Sequence, residues 1–501
     1  MTEGDKKLII LVVTKSGFWE ANESYGNFMP PTGLLALSSL LVEKYDVKIV
    51  DQRIKGWREM LLKYLKLNPV FVGLSFMTGI QIHFTLEVCN FIKNNSNVKI
   101  VAGGIHPTLL PEETIKDGQF DFLVLGEGEE TIVELADAIV EKRNINSVKG
   151  LAFIENDKFV RTPDRELIDL DILPPWPYYL LNRSVFDYSY TSKYGLVIET
   201  SRGCPFKCNY CYNSLFNRGL WRKKSVDKVV ADIVFYREKY KVDHFHIIDD
   251  NFFVDLNRAK EIMRRLISID KNIILEFQGV RGDSICNMDE DFFELFKQLN
   301  DGTMRVGIET GSQRILDLIN KNVTLDKYRQ ANSILAKHKI RSYYNFMIGF
   351  PFETEDDLKQ TTKFAIELMN NNPYARIDFM AIYQPYPGTI LFNECVFEGC
   401  FKKPEKLEDW SRVNWDEVNL STFSKKRKEL LENIHIASYA LLIRKNSKLK
   451  ELPAILRPLA RLWSFMEKTR MRYFIFSFFA VERFFYNYGK KVFYKKDYLV
   501  D

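Results

Sequence analysis

Between residues 8 and 141 the chain keeps returning to one unit: a short, wholly apolar run followed by a longer stretch with helical spacing. LIILVV precedes TGLLALSSLLVEKY; VKIVD precedes a second helical stretch; VFVGLSF precedes IQIHFTLEVCNFIKNN; VKIVAGG and DFLVLGEGEETIVELADAIVEK continue the series. Apolar runs of this length suit strands buried on both faces, and repeated strand–helix units require a parallel sheet covered by helices. Ligands of such sheets bind beyond the carboxyl ends of the strands. The turns GLSFMTG, AGGIHPT and GEGE fall at those ends, where glycine lets backbone approach a ligand closely.

VKGLAFIENDKFVRTP alternates around an END turn and predicts a β-hairpin. DLDILPPWPYYLL is proline-rich and without period, as a linker is. Strand–helix alternation then resumes from Gly195, with candidate strands in LVIETSRG, HFHIIDD, ILEFQGVRG, TMRVGIET, YYNFMIGF and IDFMAIYQPYPG. Six units in this span predict an incomplete (β/α)6 barrel with its active site at the C-terminal ends of the strands. The expected organisation is α/β: a parallel-sheet domain over 1–144, a hairpin and linker over 145–190, a partial barrel over 191–400 and a helical region over 401–501.

Seven cysteines in 501 residues make no disulfide framework, and MTEGDKKLIILVV reads as a first strand rather than a signal peptide. A reducing, cytoplasmic setting is expected. The net charge of +5 conceals an asymmetry: residues 441–501 hold 14 Lys and Arg against 5 Asp and Glu. That tail is also aromatic, and its longest uncharged run, Tyr473 to Val481, falls far short of the roughly 20 apolar residues that span a bilayer. A basic, aromatic, charge-interrupted helix fits an anionic membrane surface on the inner face of the membrane. The competing reading is a helix packed on its own domain with its basic residues solvated. The basic charge comes without a base-stacking module, so nucleic acid ranks below the membrane as a partner.

CPFKCNYC, residues 204–211, holds three of the seven cysteines. Structural zinc needs four ligands, usually as two close pairs, and no fourth Cys or His lies at a sensible spacing from Cys204, Cys208 and Cys211. A 4Fe–4S cluster held by three thiolates leaves one iron open to a small molecule. Arg202 and Lys207 would offset the negative charge of such a cluster. A loop bearing glycine, proline and lysine is no place for three core cysteines.

This C-x3-C-x2-C spacing, placed after the first strand of a barrel, resembles the motif of radical SAM enzymes. The resemblance implies that the open iron chelates S-adenosylmethionine and that reductive cleavage gives a 5′-deoxyadenosyl radical. It further implies roles by position. Asp249 and Asp250 in IIDDNFF meet the methionine amino group, and Arg281 in VRGD meets the carboxylate. GIETGSQRIL resembles the GIESGS signature and puts Glu309 at the ribose or amino group, with Ser312 close by. Ile348 and Gly349 in IGFPFET lie near the adenine, and Tyr210 packs beside it. Alternatives stand beside these: Asp249 as a helix cap, Glu309 as a partner of Arg305 or Arg314.

The first domain resembles the flavodoxin-like cobalamin-binding domains that accompany such barrels. By that resemblance Gly73, Ser75, Thr78, Gly103 and Gly104 line the slot for the cofactor's nucleotide tail. The D-x-H-x-x-G motif that ligates cobalt in many such domains is missing. DQRIKG is the nearest string, with Arg53 in place of His, and it follows the second strand. His106 is read as serving its own loop, which leaves cobalt without a protein ligand. The implied activity is methylation of an unactivated carbon, with ring closure, rearrangement or carbon–carbon coupling as the alternative. No Ser–His–Asp set is present, so no catalytic side chain is singled out. A methylthiotransferase acting on tRNA would need three further cluster cysteines, and this domain has only Cys89. A non-enzymatic cobalamin or cluster sensor would have no use for Asp249 and Glu309. The aromatic tail points to a lipid-like substrate, and the cluster to an electron donor such as ferredoxin or flavodoxin.

Overall fold

In the computed structural model, residues 6–16, 29–181, 195–300, 302–413, 418–442, 457–476, 479–484 and 486 are described. The end of the expected linker (182–190) and the last basic stretch (487–501) lie outside them. The buried run β1 (Leu8–Val13) lies inside the first sheet, next to its edge strand. It pairs in parallel with β2 (Asp46–Asp51) on one side and β3 (Val72–Ser75) on the other; β4 (Ile100–Gly103) and β5 (Phe122–Val124) follow. The order β2-β1-β3-β4-β5 is that of flavodoxin-like sheets, whose switch point beside β1 opens a crevice at the carboxyl edge. The predicted hairpin, β6 (Leu151–Glu155) and β7 (Lys158–Arg161), continues this sheet: β6 pairs antiparallel with β5, Val124 opposite Leu151.

The second domain begins with β8 (Gly195–Ile198), then the short antiparallel pair β9 (Ser201–Gly203) and β10 (Trp221–Lys223). β11 (His244–Ile247) joins β8 to β12 (Ile274–Phe277) in parallel. After a break at Gln278 and Gly279 the chain resumes as β13 (Val280–Arg281), which pairs with β14 (Thr303–Glu309), followed by β15 (Arg341–Ile348) and β16 (Ala375–Ile382). β12 and β13 act as one interrupted strand, so the described strands form a partial barrel of six parallel units. Alternation along them sends Phe245, Ile247, Val306, Ile308, Tyr344 and Phe346 outward into a core shared with the surrounding helices. The free edge at β16 is covered by the helix Lys425–Tyr439: Ser438 Oγ accepts from Met380 N at 2.9 Å, and His435 Nδ1 lies 2.7 Å from Met380 O.

The two domains share a core. The apolar cluster on one face of the first sheet, with Ile10, Val12 and Leu74, continues through Ile319, Phe350, Leu391, Phe392 and Trp410 of the second domain. No helix among the described residues is long and apolar enough to cross a membrane.

Candidate cofactor site between the two domains

The carboxyl ends of β3, β4 and β5 face the mouth of the barrel across a cavity of about 550 Å³. Gly73, Ser75, Gly103 and Gly104 line it from the first domain; Glu199, Arg202, Tyr212 and Asp250 line it from the barrel. Gly104 has φ +96°, and a Cβ there would stand 2.7 Å from Phe76 O. At Gly73 a Cβ would meet Leu11 Cδ2 at 2.7 Å. Side chains are excluded from this edge by the packing behind it, which leaves a bare backbone cradle suited to a large flat ligand.

Thr78 turns away from the cradle. Its Oγ1 lies 2.8 Å from His106 Nδ1, and both residues are buried. His106 also packs against the rings of Phe76 and Trp410, and burial lowers its pKa to about 3. It is a neutral structural group, in agreement with its reading as a loop residue. Arg53 does line the cavity. Its guanidinium is fixed to Asp51 (Nη2–Oδ2 2.8 Å, Nε–Oδ1 2.9 Å) and donates to Met29 O at 2.9 Å. No histidine lines the cavity among the described residues.

The cysteine loop is held at both ends. At its start Asp249 accepts from Thr200 N (2.7 Å), Thr200 Oγ1 (2.6 Å) and Ser201 Oγ (2.6 Å), and Asp250 accepts from Gly203 N (2.9 Å). Gly203 has φ +86°, and a Cβ there would lie 2.0 Å from Leu220 O, so only glycine fits. Further on, Asn209 N donates to Ile319 O (2.9 Å), its Nδ2 to Leu318 O (3.0 Å), and Leu391 N to Asn209 O (3.0 Å). Asn320 Nδ2 holds Lys207 O at 2.8 Å. Cys204, Cys208 and Cys211 are all free thiols, with Cys211 N donating to Cys208 O at 3.1 Å in a tight turn. Burial pushes the Cys211 thiol up to about 12; it raises Cys208 as well, against the pull of Lys321 and Arg281. Three free thiols on a prefixed loop, with cations at hand, fit a three-cysteine cluster. Among the described residues no three His, Cys, Asp or Glu side chains converge on a single-ion site.

Beside the loop, Lys321 Nζ pairs with Glu309 Oε1 at 2.6 Å and lies 3.4 Å from the Tyr210 hydroxyl. Arg281 spreads over the Phe206 ring at 3.6 Å and holds Asp283 at 3.0 Å and Lys321 O at 2.8 Å. Glu309 sits at a β-bulge with φ +71°, a left-handed conformation that is costly for a non-glycine residue. Tyr210, Arg281 and Glu309 are thus brought together, and Asp250 faces the cavity. Asp249 and Ser312 are internal ties. Ser312 caps the helix Gln313–Leu318, accepting from Ile315 N, and donates to Asp357 Oδ1 at 2.6 Å. Ile348 is buried in the core; Gly349, at φ +81°, donates its N–H to Glu353 Oε2 at 2.6 Å.

Arg202 is not a counter-charge for the cluster. Its Nη2 reaches Glu129 (2.6 Å), its Nη1 reaches Glu127 (3.1 Å), and its Nε pairs with Glu199. Arg222 also pairs with Glu127, whose other oxygen accepts from Ile168 N at 3.1 Å. The GEGE turn of the first domain is therefore bound to the strand leading into the cysteine loop by a buried ion cluster. Burial pushes Glu199 up despite Arg202, whereas at Glu127 the two arginines outweigh burial and hold it down.

Residues 198–365 match the radical SAM superfamily and residues 21–136 the B12 binding domain. The chain is 32% identical to an uncharacterised methyltransferase of Pyrococcus horikoshii, over 78% of this chain and 83% of that protein. It is 28% identical to the anaerobic magnesium-protoporphyrin IX monomethyl ester cyclase of Rubrivivax gelatinosus, over 74% and 65% of the two chains. Its fold matches that of the cobalamin-dependent S-adenosylmethionine radical enzyme OxsB, solved with aqua-cobalamin and S-adenosylmethionine bound. That match has a TM-score of 0.71 at 17% identity and covers 94% of this chain and 72% of the other. The chain belongs to the radical SAM superfamily, among members with a B12-binding domain ahead of the barrel, and is an enzyme that uses a 4Fe–4S cluster, S-adenosylmethionine and cobalamin.

Proposed function

We propose that the protein is a methyltransferase that acts on an unactivated carbon of a lipid-like substrate. The observation that carries the methyltransferase reading is the cavity between the two domains, with the glycine cradle on one side and, on the other, Ser201, Arg202 and Tyr212, which flank the cysteine loop, together with Asp250. Together the bound cofactors supply radical generation and a methyl group. The chain's own part is placement and exclusion of water. Cys204, Cys208 and Cys211 hold the cluster. By the family resemblance Asp250, Arg281, Glu309 and Tyr210 orient S-adenosylmethionine, and the ion pair of Lys321 with Glu309 supports that reading. Gly73, Ser75, Gly103 and Gly104 cradle cobalamin. Asp249, Ser312 and Thr78 act one step back, through the segments they tie down.

The lipid-like substrate and a peripheral position on the inner membrane face rest on the aromatic, basic C-terminal region. A small acidic electron carrier of the ferredoxin or flavodoxin type is the expected reductant. A second reading, ring closure on a tetrapyrrole-like substrate, is favoured by the cyclases among the relatives. The deciding experiment is anaerobic reconstitution with iron, sulfide and cobalamin, then incubation with membrane lipid extract, methyl-labelled S-adenosylmethionine and dithionite as the one-electron reductant. Label in an extracted lipid supports methylation. 5′-Deoxyadenosine formed with no label in any product overturns it in favour of ring or carbon–carbon chemistry.

A further inference from the structure

The helix Arg457–Tyr473 is inside out. Its inward face, packed against the helix Glu355–Asn371 and the turn Ala440–Leu442, buries Ser464, Met471 and the fully enclosed Glu467 (0% exposed). Its outward face shows Leu462 (56% exposed), Phe465 (68%), Met466 and Tyr473 (62%). A surface helix in water arranges these the other way round. The inversion continues past the helix end, where Ile475, Val481 and Phe484 are exposed too. Contiguous apolar surface of this kind marks a contact that the isolated chain lacks.

The charges say what the contact is. Arg461 and Arg472 stand exposed beside the apolar residues, while the acidic groups nearby are turned inward: Glu467 and Glu482 both bind Arg470, at 3.1 and 2.7 Å. Burial lifts the Glu467 carboxyl to about 7, which further reduces negative charge behind this face. An apolar, aromatic face with basic residues at its rim, on a chain without a spanning helix among its described residues, matches the interfacial zone of an anionic bilayer. Beside it, a cavity of about 580 Å³ between the helices is lined by Ile436, Tyr439, Trp463, Val481, Glu482 and Tyr486. It is apolar apart from Glu482 and has room for an acyl chain.

We infer that this face of the C-terminal helices docks on an anionic phospholipid bilayer, with Leu462, Phe465, Met466 and Tyr473 in the acyl boundary and Arg461 and Arg472 on the headgroups. The inference gives the membrane expectation of the proposed function a surface and does not depend on the reaction. The test is sedimentation of the reconstituted protein with vesicles of phosphatidylglycerol, and separately of phosphatidylcholine. Binding to the anionic vesicles, weakened at least tenfold by Leu462→Asp with Phe465→Asp and by 1 M salt, is the expected result. The variant should keep its iron content and thermal midpoint, because both side chains are exposed. Undiminished binding of the variant overturns the inference, as does absence of binding. Self-association of the wild type that the double substitution abolishes would assign the face to a second copy and overturn it equally. Vesicle binding does not read methyl transfer, so failure here and failure of the proposed reaction are separate results.

Discussion

Arg202→Met removes the centre of the ion cluster that joins the B12-binding domain to the cysteine loop. Glu127, Glu129 and Glu199 are all largely buried, and Arg202 is the guanidinium that touches all three. Removing one partner of a buried ion pair costs about 3–5 kcal/mol, because the charge left behind is uncompensated. Arg222 remains for Glu127, which places the loss near the lower figure, about 3 kcal/mol. The pH dependence gives the sharper test. Burial already raises the Glu199 carboxyl while Arg202 is present. Without the arginine, Glu199 retains a proton in the folded state that the unfolded chain gives up near the ordinary carboxyl pKa. The native state then binds more protons, so stability falls as pH rises, by about 1.4 kcal/mol per pH unit for each retained proton. The variant should be near wild type at about pH 5 and weakest at about pH 8. Urea unfolding of the reconstituted protein at both pH values, read against wild type, measures this. An equal deficit at the two pH values, or a deficit under about 1 kcal/mol, would refute the assignment of these carboxylates as buried and dependent on Arg202.

Three further outcomes follow from single contacts. Asp249→Ala strands three donors on Thr200 and Ser201; a loss of about 1–3 kcal/mol is expected, with reduced iron per chain after reconstitution, while Asp249→Asn should be milder. Gly203→Ala forces a Cβ onto Leu220 O at a positive φ, and should abolish the iron–sulfur absorption band while leaving the far-ultraviolet circular dichroism of the helices in place. Glu353 is enclosed, and burial raises its pKa from 4.5 to about 8. Its proton stabilises the fold fully below pH 4.5 and is lost as pH rises through about 8, a slope of about 1.4 kcal/mol per pH unit in that window. Glu353→Gln should flatten that slope in urea midpoints; a slope left intact would place the proton elsewhere.

What the chain makes legible is what local chemistry dictates. Buried apolar runs gave both sets of parallel strands, and the spacing of Cys204, Cys208 and Cys211 gave the cluster loop without any knowledge of its neighbours. Glycine turns marked the cradle because packing behind Gly73 and Gly104 admits no side chain. Contacts formed across long sequence distances were not legible. For Glu309 the ion-pair partners offered as the alternative to S-adenosylmethionine were Arg305 and Arg314. Instead Lys321 takes it, Arg314 turns to Asp357, and Arg305 lies 5.2 Å from the Tyr343 ring. The END turn announced a hairpin but not that β5 would be its partner. Thr78 and Ser312 sit in turns that look like binding loops, yet one is spent on His106 and the other on a helix cap. Arg202 read as a counter-charge because Glu127 and Glu129, more than seventy residues earlier, carry no sequence mark of meeting it. The tail's basic, aromatic character was visible; which face of its helix would point outward was not.

Each domain places its chemistry at the ends of its own parallel strands, but the shared reaction volume exists only when the two edges face each other. Two kinds of contact hold them there, and they differ in strength and in direction. The shared apolar cluster buries Ile319, Phe350, Leu391, Phe392 and Trp410, and each such side chain contributes about 1.5–3 kcal/mol. Their sum exceeds the roughly 3 kcal/mol at stake in Arg202, so the domains should remain docked when the arginine is replaced. Apolar contact is non-directional, however, and tolerates small slides. The guanidinium fork is not tolerant: it fixes the GEGE turn against Glu199 and hence against the cysteine loop, which begins two residues after Arg202. Arg202→Met should therefore resist limited proteolysis between the domains as wild type does, yet lose cobalt on gel filtration after reconstitution. Separation of the domains would show that the ion cluster, and not the apolar core, holds the enzyme together.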